Sequence, residues 1–215
     1  FVFDAPEILS ALADPRALTY QPQPRGLLSA RLAVAAYYAE CGVRLDPEQI
    51  FLTTSTSEAY SYVFRLLANP GDNILVPCPS YPLFDFLARL NDLELVSYPL
   101  VYNHGWRIDL EALRARLSPR TRAILVVHPN NPTGSFIRQS ELEFLLDRCR
   151  ERSLALVADE VFADYPFQDD ARRIGSHAGT SEGLTFTLSG LSKISALPQM
   201  KLAWVVVNGP TEFLG

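Results

Sequence analysis

The chain has 215 residues, 19 basic and 24 acidic side chains, and a formal net charge of −5. At 48% apolar and 20% charged it has an ordinary globular composition, with enough length to bury the core of one large domain. The acidic balance argues against nucleic acid as the main partner, and no apolar run is long enough for a transmembrane helix.

The first 25 residues contain Pro6, Pro15, Pro22 and Pro24 and read as an irregular, extended arm or a capping segment rather than a core element. Leu28, Leu32, Ala35 and Ala36 recur at helical spacing, which predicts a helix over Leu27–Glu40 that Cys41-Gly42 ends. Ile50–Thr53 is a short strand, and Ser57–Ala68 a helix stopped by Asn69-Pro70-Gly71. Asn73–Val76 is the next strand, followed by a helix over Leu83–Leu90 and a strand over Glu94–Tyr98. Asp109 caps a helix running to Leu117. Ala123–Val127 is a wholly apolar strand, and Ser140 with Glu143 has the spacing of a capping box. Leu154–Ala158, Leu184–Leu188 and Ala203–Val207 complete the set. Seven apolar strands alternating with helices predict an α/β fold whose mostly parallel sheet carries helices on both faces. The division expected is an arm over 1–25 and one domain over 26–215, with no linker.

Cys41, Cys78 and Cys149 are far apart and form no CxxC pair, so neither a disulfide frame nor a zinc site is expected. Buried or inert thiols in a reducing cytoplasm are the default reading. The opening residues, Phe1-Val2-Phe3-Asp4-Ala5-Pro6, lack the basic region of a signal peptide and lack Met, so a longer gene product is expected. Of the 19 basic residues only Lys193 and Lys201 are lysines. Either they are leftovers of a biased genome, or they sit where only a primary amine or a point charge will serve.

In open α/β sheets ligands collect at the carboxyl ends of strands, and the unusual residues of this chain fall there. Thr54-Ser55-Thr56-Ser57-Glu58-Ala59 runs from a strand into a helix, so its hydroxyls and free N–H groups form either a phosphate cradle or a plain N-cap. His128-Pro129-Asn130-Asn131-Pro132-Thr133-Gly134 is stiffened by its prolines and can aim an Asn side chain, or is simply a rigid turn. His128 alone reads as a satisfied histidine at a strand end rather than a catalyst. Asp159-Glu160 puts a carboxylate directly after a buried strand, where it either needs a cation or donors or serves as the N-cap of the next segment. Ser189-Gly190-Leu191-Ser192-Lys193 places a lysine just past another strand, where a lowered-pKa amine can form a Schiff base with a carbonyl. A hydroxyl cradle, an Asn, an Asp and a Lys, each after its own strand, are together the set that pyridoxal phosphate requires.

From Tyr20 onward the chain resembles the class I/II aminotransferases, the fold type I pyridoxal-phosphate enzymes. The resemblance is carried by Tyr20, Gly26, Arg31, Ala33, Ala35 and Tyr37 in the arm and first helix, and by Thr54 to Ala59 in the cradle. It continues through Pro79-Ser80-Tyr81-Pro82, Asn130-Asn131-Pro132-Thr133-Gly134, Asp159-Glu160-Val161-Phe162 and Ser192-Lys193 with Leu197-Pro198. It implies that Lys193 carries pyridoxal 5′-phosphate as a Schiff base and then shuttles the proton. Asp159 would pair with the pyridine N–H, Asn131 would donate to the ring oxygen and Tyr81 would stack on the ring. Ser55, Thr56, Ser57, Ser192 and Lys201 would surround the phosphate, and Tyr20 would reach the partner's phosphate in a homodimer. The Cys78–Pro79 and Asn131–Pro132 bonds are implied to be cis. The expected reaction moves an amino group between an amino acid and a 2-oxo acid, in the cytoplasm. A β-lyase, a synthase, a racemase or a non-catalytic sensor domain would share the same motifs.

The sequence departs from the family pattern at five positions. Ser55 replaces a glycine, Lys201 an arginine, Gln199 and Ala203 glycines, and Phe162 the tyrosine whose hydroxyl meets the ring oxygen. Losing that donor is expected to raise the imine pKa, with Tyr165 as a compensating donor if the loop turns back. Family members are nearly twice as long, and their C-terminal small domain carries the arginine that clamps the substrate carboxylate. No residue here can be given that role.

Overall fold

The strand-forming runs assemble into one sheet whose two faces are both covered. The computed structural model describes residues 3–166 and 170–210, so the outermost residues of the expected arm and domain, 1–2 and 211–215, lie outside the described residues. The strands are β1 (Ile50–Thr53), β2 (Asn73–Cys78), β3 (Glu94–Tyr102), β4 (Trp106–Ile108), β5 (Thr121–Val127), β6 (Ala155–Asp159), β7 (Thr185–Gly190) and β8 (Ala203–Asn208). The helices are α1 (Ala5–Leu12), α2 (Leu28–Glu40), α3 (Thr56–Leu67), α4 (Leu83–Arg89), α5 (Leu110–Arg116), α6 (Gln139–Arg152) and α7 (Leu191–Ile194).

The sheet order is β1-β8-β7-β6-β5-β2-β3-β4. The five inner strands from β7 to β3 are mutually parallel, while β8 and β4 pair antiparallel at either side. The order reverses between β5 and β2, so a crevice opens at the carboxyl ends of the strands there.

Period-two alternation builds the two cores. Ile74, Val76, Leu125, Val127, Val157 and Leu188 face α3 and α4 on one side. Leu75, Ile124, Val126 and Leu156 face Leu113 of α5 and Leu142, Leu145 and Leu146 of α6 on the other. Ile124, Leu125 and Val126 are fully buried, as a strand covered on both faces requires.

Three expectations need correction. The sheet has eight strands among the described residues rather than seven. The additional β4 is three residues long, too short for a periodic signal, and forms with β3 through a turn in which His104 and Gly105 have positive φ. The arm is not wholly irregular. Asp4 Oδ1 accepts the Glu7 N–H and Pro6 fits the first turn, so α1 forms, although none of its residues is buried. Helix α6 begins one residue early, because Glu141 Oε2 accepts the Arg138 N–H and its other oxygen accepts the Ile108 N–H. Glu143, the expected capping partner, instead accepts from Gln139. Of the three thiols only Cys149 is buried; Cys41 and Cys78 are exposed.

Candidate active site

Helix α3 starts where the cradle was expected, and Ser55 is its N-cap. The Ser55 hydroxyl accepts the Glu58 N–H at 3.1 Å, while Glu58 Oε2 accepts from the Thr54 N–H at 2.7 Å and its hydroxyl at 3.0 Å. The two bonds from Thr54, that of its N–H first, hold Glu58 below the usual carboxylate range, helped by the Tyr62 hydroxyl and the Lys201 charge. With the cap supplied by Ser55, the Thr56 and Ser57 side chains turn to a cavity of about 130 Å³ at the strand ends. The positive end of the α3 dipole points the same way.

Two turns from the carboxyl ends of the neighbouring strands β2 and β5 close one wall. After β2, Pro79-Ser80-Tyr81 comes after a cis Cys78–Pro79 bond; after β5, the Asn131 loop contains cis bonds at His128–Pro129 and Asn131–Pro132. Asn130 locks the turns together. Its amide donates to the Pro79 carbonyl (3.0 Å) and to Thr133 Oγ1 (2.9 Å), and its carbonyl accepts from the Ser80 hydroxyl (2.9 Å). Asn131 is left exposed at the cavity rim, and Tyr81, 44% exposed, packs edge-on against Phe84 beside it.

Asp159 closes β6 at the cavity floor and is 6% exposed. Its Oδ2 accepts from the Tyr60 hydroxyl at 2.6 Å and its Oδ1 from the Val161 N–H at 3.1 Å. Burial pushes its pKa up and the Glu160 charge adds to this, while the two donors oppose it. Glu160 points to the opposite side, where it accepts from the Ser176 hydroxyl and from the His177 N–H and Nδ1. His177 packs edge-on to His128, whose Nδ1 accepts the Ile137 N–H. Burial drives the His128 pKa well down against a backbone hydrogen bond with Ile174, so it is a neutral buried ring.

The fourth component comes from β7. Gly190 lies so close to β8 that an added Cβ would sit 2.8 Å from the Ala203 Cβ, so a side chain there would force the strands apart. Directly after it α7 carries Ser192 and Lys193 to the cavity. The Lys193 Nζ lies 5.8 Å from the centre of the Phe162 ring. The Tyr165 hydroxyl does turn back, but it donates to the Lys193 backbone carbonyl at 2.6 Å, and Tyr165 is not among the residues lining the cavity.

Thus Thr56, Ser57, Tyr81, Asn131, Asp159, Ser192 and Lys193 share one cavity, together with Tyr60, Val161, Phe162 and Ala203. Ser55, Lys201 and Tyr20 are not part of its lining. Ser55 supports it as the α3 cap. Lys201 is exposed in a left-handed conformation (φ 52°), close enough to α3 for its charge to act on Glu58. Tyr20 is 92% exposed on the arm. Sequence reasoning missed Tyr60 and Asn130. Tyr60 lies one helical turn beyond Thr56, but its apolar neighbours make it look like core. Asn130 adjoins the residue that was singled out.

The family model "Aminotransferase class I and II" matches residues 4–211. The chain belongs to this family. It is 34% identical over 216 residues to the glutamate-pyruvate aminotransferase AlaA of Escherichia coli, covering 99% of this chain and 53% of that protein. It is also 34% identical over 209 residues to the S-alkyl-thiohydroximate lyase SUR1 of Arabidopsis thaliana, covering 94% of this chain and 44% of that one. A solved aminotransferase from Escherichia coli superposes with a TM-score of 0.84 at 32% identity, covering 98% of this chain and 52% of that structure. The chain thus spans about half the length of the relatives it matches. No helix among the described residues is long and apolar enough to cross a membrane.

Proposed function

We propose that the protein is a pyridoxal-phosphate-dependent aminotransferase that moves an amino group between an amino acid and a 2-oxo acid. The observation that carries this reading is the convergence of Lys193, Asp159, Asn131, Thr56 and Ser57 on one cavity at the sheet's switch point. The donor set fits the cofactor: a buried carboxylate for a protonated ring nitrogen, an amide for the ring oxygen, a ring to stack on, and hydroxyls with a helix N-terminus for a dianionic phosphate.

Bound pyridoxal phosphate supplies a carbonyl that condenses with amines and a ring that withdraws electrons from the carbon next to the bound nitrogen. The chain's own residues do the rest. The Lys193 amine would hold the cofactor covalently between turnovers and, once displaced by substrate, would take the proton from the substrate α-carbon and deliver it to the carbon that had been the cofactor's carbonyl. Asp159 keeps the ring nitrogen protonated by pairing a carboxylate with it in a low-dielectric site, where such a pair is strong. Asn131 and Tyr81 orient the ring. Thr56, Ser57 and Ser192 bind phosphate, and Lys201 adds a point charge in place of a bidentate guanidinium fork. The arm, with its exposed Tyr20, is assigned to the partner of a homodimer, and residues 26–215 to the cofactor-binding domain. Incubation with an amino acid and a 2-oxo acid should give exchanged products.

A second reaction on the same cofactor is favoured by one observation, the 34% identity to a lyase. Release of a 2-oxo acid and ammonia without transfer to an acceptor would assign the chain to that chemistry.

A further inference from the structure

Tyr60 is a fully buried phenol inside the cofactor cavity, and neither cofactor binding nor proton transfer as proposed makes use of it. It extends from α3 one turn beyond Thr56, so a single helix faces both the expected phosphate and the floor carboxylate. Its ring is fixed edge-on against Phe84 (centroids 5.3 Å) and tilted against Phe64 (5.7 Å), which leaves its hydroxyl one position, 2.6 Å from Asp159 Oδ2. With the Val161 N–H on Oδ1, each oxygen of Asp159 has one fixed donor. The carboxylate can then rotate only by breaking a buried hydrogen bond.

We propose that Tyr60 is a positioning residue that holds Asp159 as an aligned carboxylate facing the cavity and thereby sets the acid limit of pyridoxal-phosphate binding. The proposal rests on the reading of this cavity as a pyridoxal-phosphate site. The choice of a phenol has a physical reason. A buried carboxylate needs donors to stay ionised, but a cationic donor would neutralise the charge that the ring nitrogen has to meet. A phenol donates and leaves the full negative charge in place. Its own ionisation is suppressed, first by burial and then by the Asp159 charge, so it remains a donor at neutral pH.

The other titratable groups around Asp159 do not substitute for it. Glu160, on the same strand end, opposes ionisation and is tied to His177, with His128 beyond it at the end of β5. Tyr81 and Lys193 line the same cavity from the β2–α4 turn and from α7. Among the described residues no hydrogen bond joins either of them to Asp159.

The test measures pyridoxal-phosphate affinity of the full chain by absorbance across the acid-to-neutral range. It compares wild type, Tyr60→Phe, Asp159→Asn and the double variant. Tyr60→Phe removes one donor to a charged group, so binding should weaken about tenfold on the acid side, and the acid limb should move up by about one pH unit. In the Asp159→Asn background the same change should have no further effect. A Tyr60→Phe profile that superimposes on wild type overturns the proposal, as does an equal loss in both backgrounds, which would make the phenol mere packing. If Tyr60→Phe does not fold, Tyr60→His and Tyr60→Leu replace it. The donor-bearing variant must then bind tighter, and equal affinities overturn the proposal. Wild-type protein that binds no pyridoxal phosphate overturns the cofactor reading itself, a result separate from all of these.

Discussion

Adjacent asparagines in the Asn130-Asn131-Pro132 loop should have opposite phenotypes. Asn130 is 4% exposed and makes three hydrogen bonds, whereas Asn131 stands exposed at the cavity rim. Asn130→Leu keeps the volume but strips partners from the Pro79 carbonyl and the Ser80 hydroxyl. Thr133 keeps a second partner, the Ser135 hydroxyl at 2.7 Å. Two part-buried groups left unsatisfied, at roughly 1–3 kcal/mol each, give an expected loss of about 3 kcal/mol. That is a large fraction of the ~5–15 kcal/mol that holds a typical domain together. Asn131→Ala should change stability by no more than about 0.5 kcal/mol. Urea denaturation without cofactor measures both, and a cofactor titration should show Asn131→Ala folding normally but binding more weakly. If Asn130→Leu unfolds at the wild-type urea concentration, or if Asn131→Ala is the more destabilised, the reasoning about how this loop is held is wrong.

Three further outcomes are expected. Because burial raises the Asp159 pKa, the folded chain binds more protons than the unfolded chain between the usual carboxylate value and the raised one. Without cofactor, stability should therefore fall as pH rises through that window, and Asp159→Asn should flatten the slope while weakening cofactor binding, as denaturation at several pH values would show. Lys201→Gly should stabilise the cofactor-free chain by about 1 kcal/mol, since φ of 52° strains any residue with a Cβ, yet should weaken binding by removing a charge near α3. Thermal melting and cofactor titration test the two halves. Leu125→Ala, at a fully buried position in β5, should cost about 2–5 kcal/mol in urea unfolding.

The sheet was legible because parallel strands buried on both faces are continuous apolar runs, as Ala123–Val127 and Leu154–Ala158 are. The candidate site was legible for a related reason: Asp159 directly follows such a run, and Lys193 lies a few residues past another. Less was visible where function depends on tertiary contact. Tyr60 lies in the pattern Ala59, Tyr60, Val63, Phe64, which is a helix core stripe by spacing, and only the fold brings its hydroxyl to Asp159. Glu141 caps α6 in place of the expected Ser140–Glu143 pair because its carboxylate also satisfies the Ile108 N–H of β4, a strand that spacing could not reveal. The helix in the arm was hidden by prolines that were read as breakers, although Pro6 occupies a first turn where no N–H is needed.

On the proposed reading, Lys193 is the amine that holds pyridoxal phosphate. That assignment is tested most directly by adding the cofactor, reducing with borohydride and mapping the modified peptide. A visible absorption band and a stable adduct on Lys193 are expected, with loss of both in Lys193→Ala. The same reducible adduct in Lys193→Ala, or an adduct on Lys201 in the wild-type chain, would contradict it.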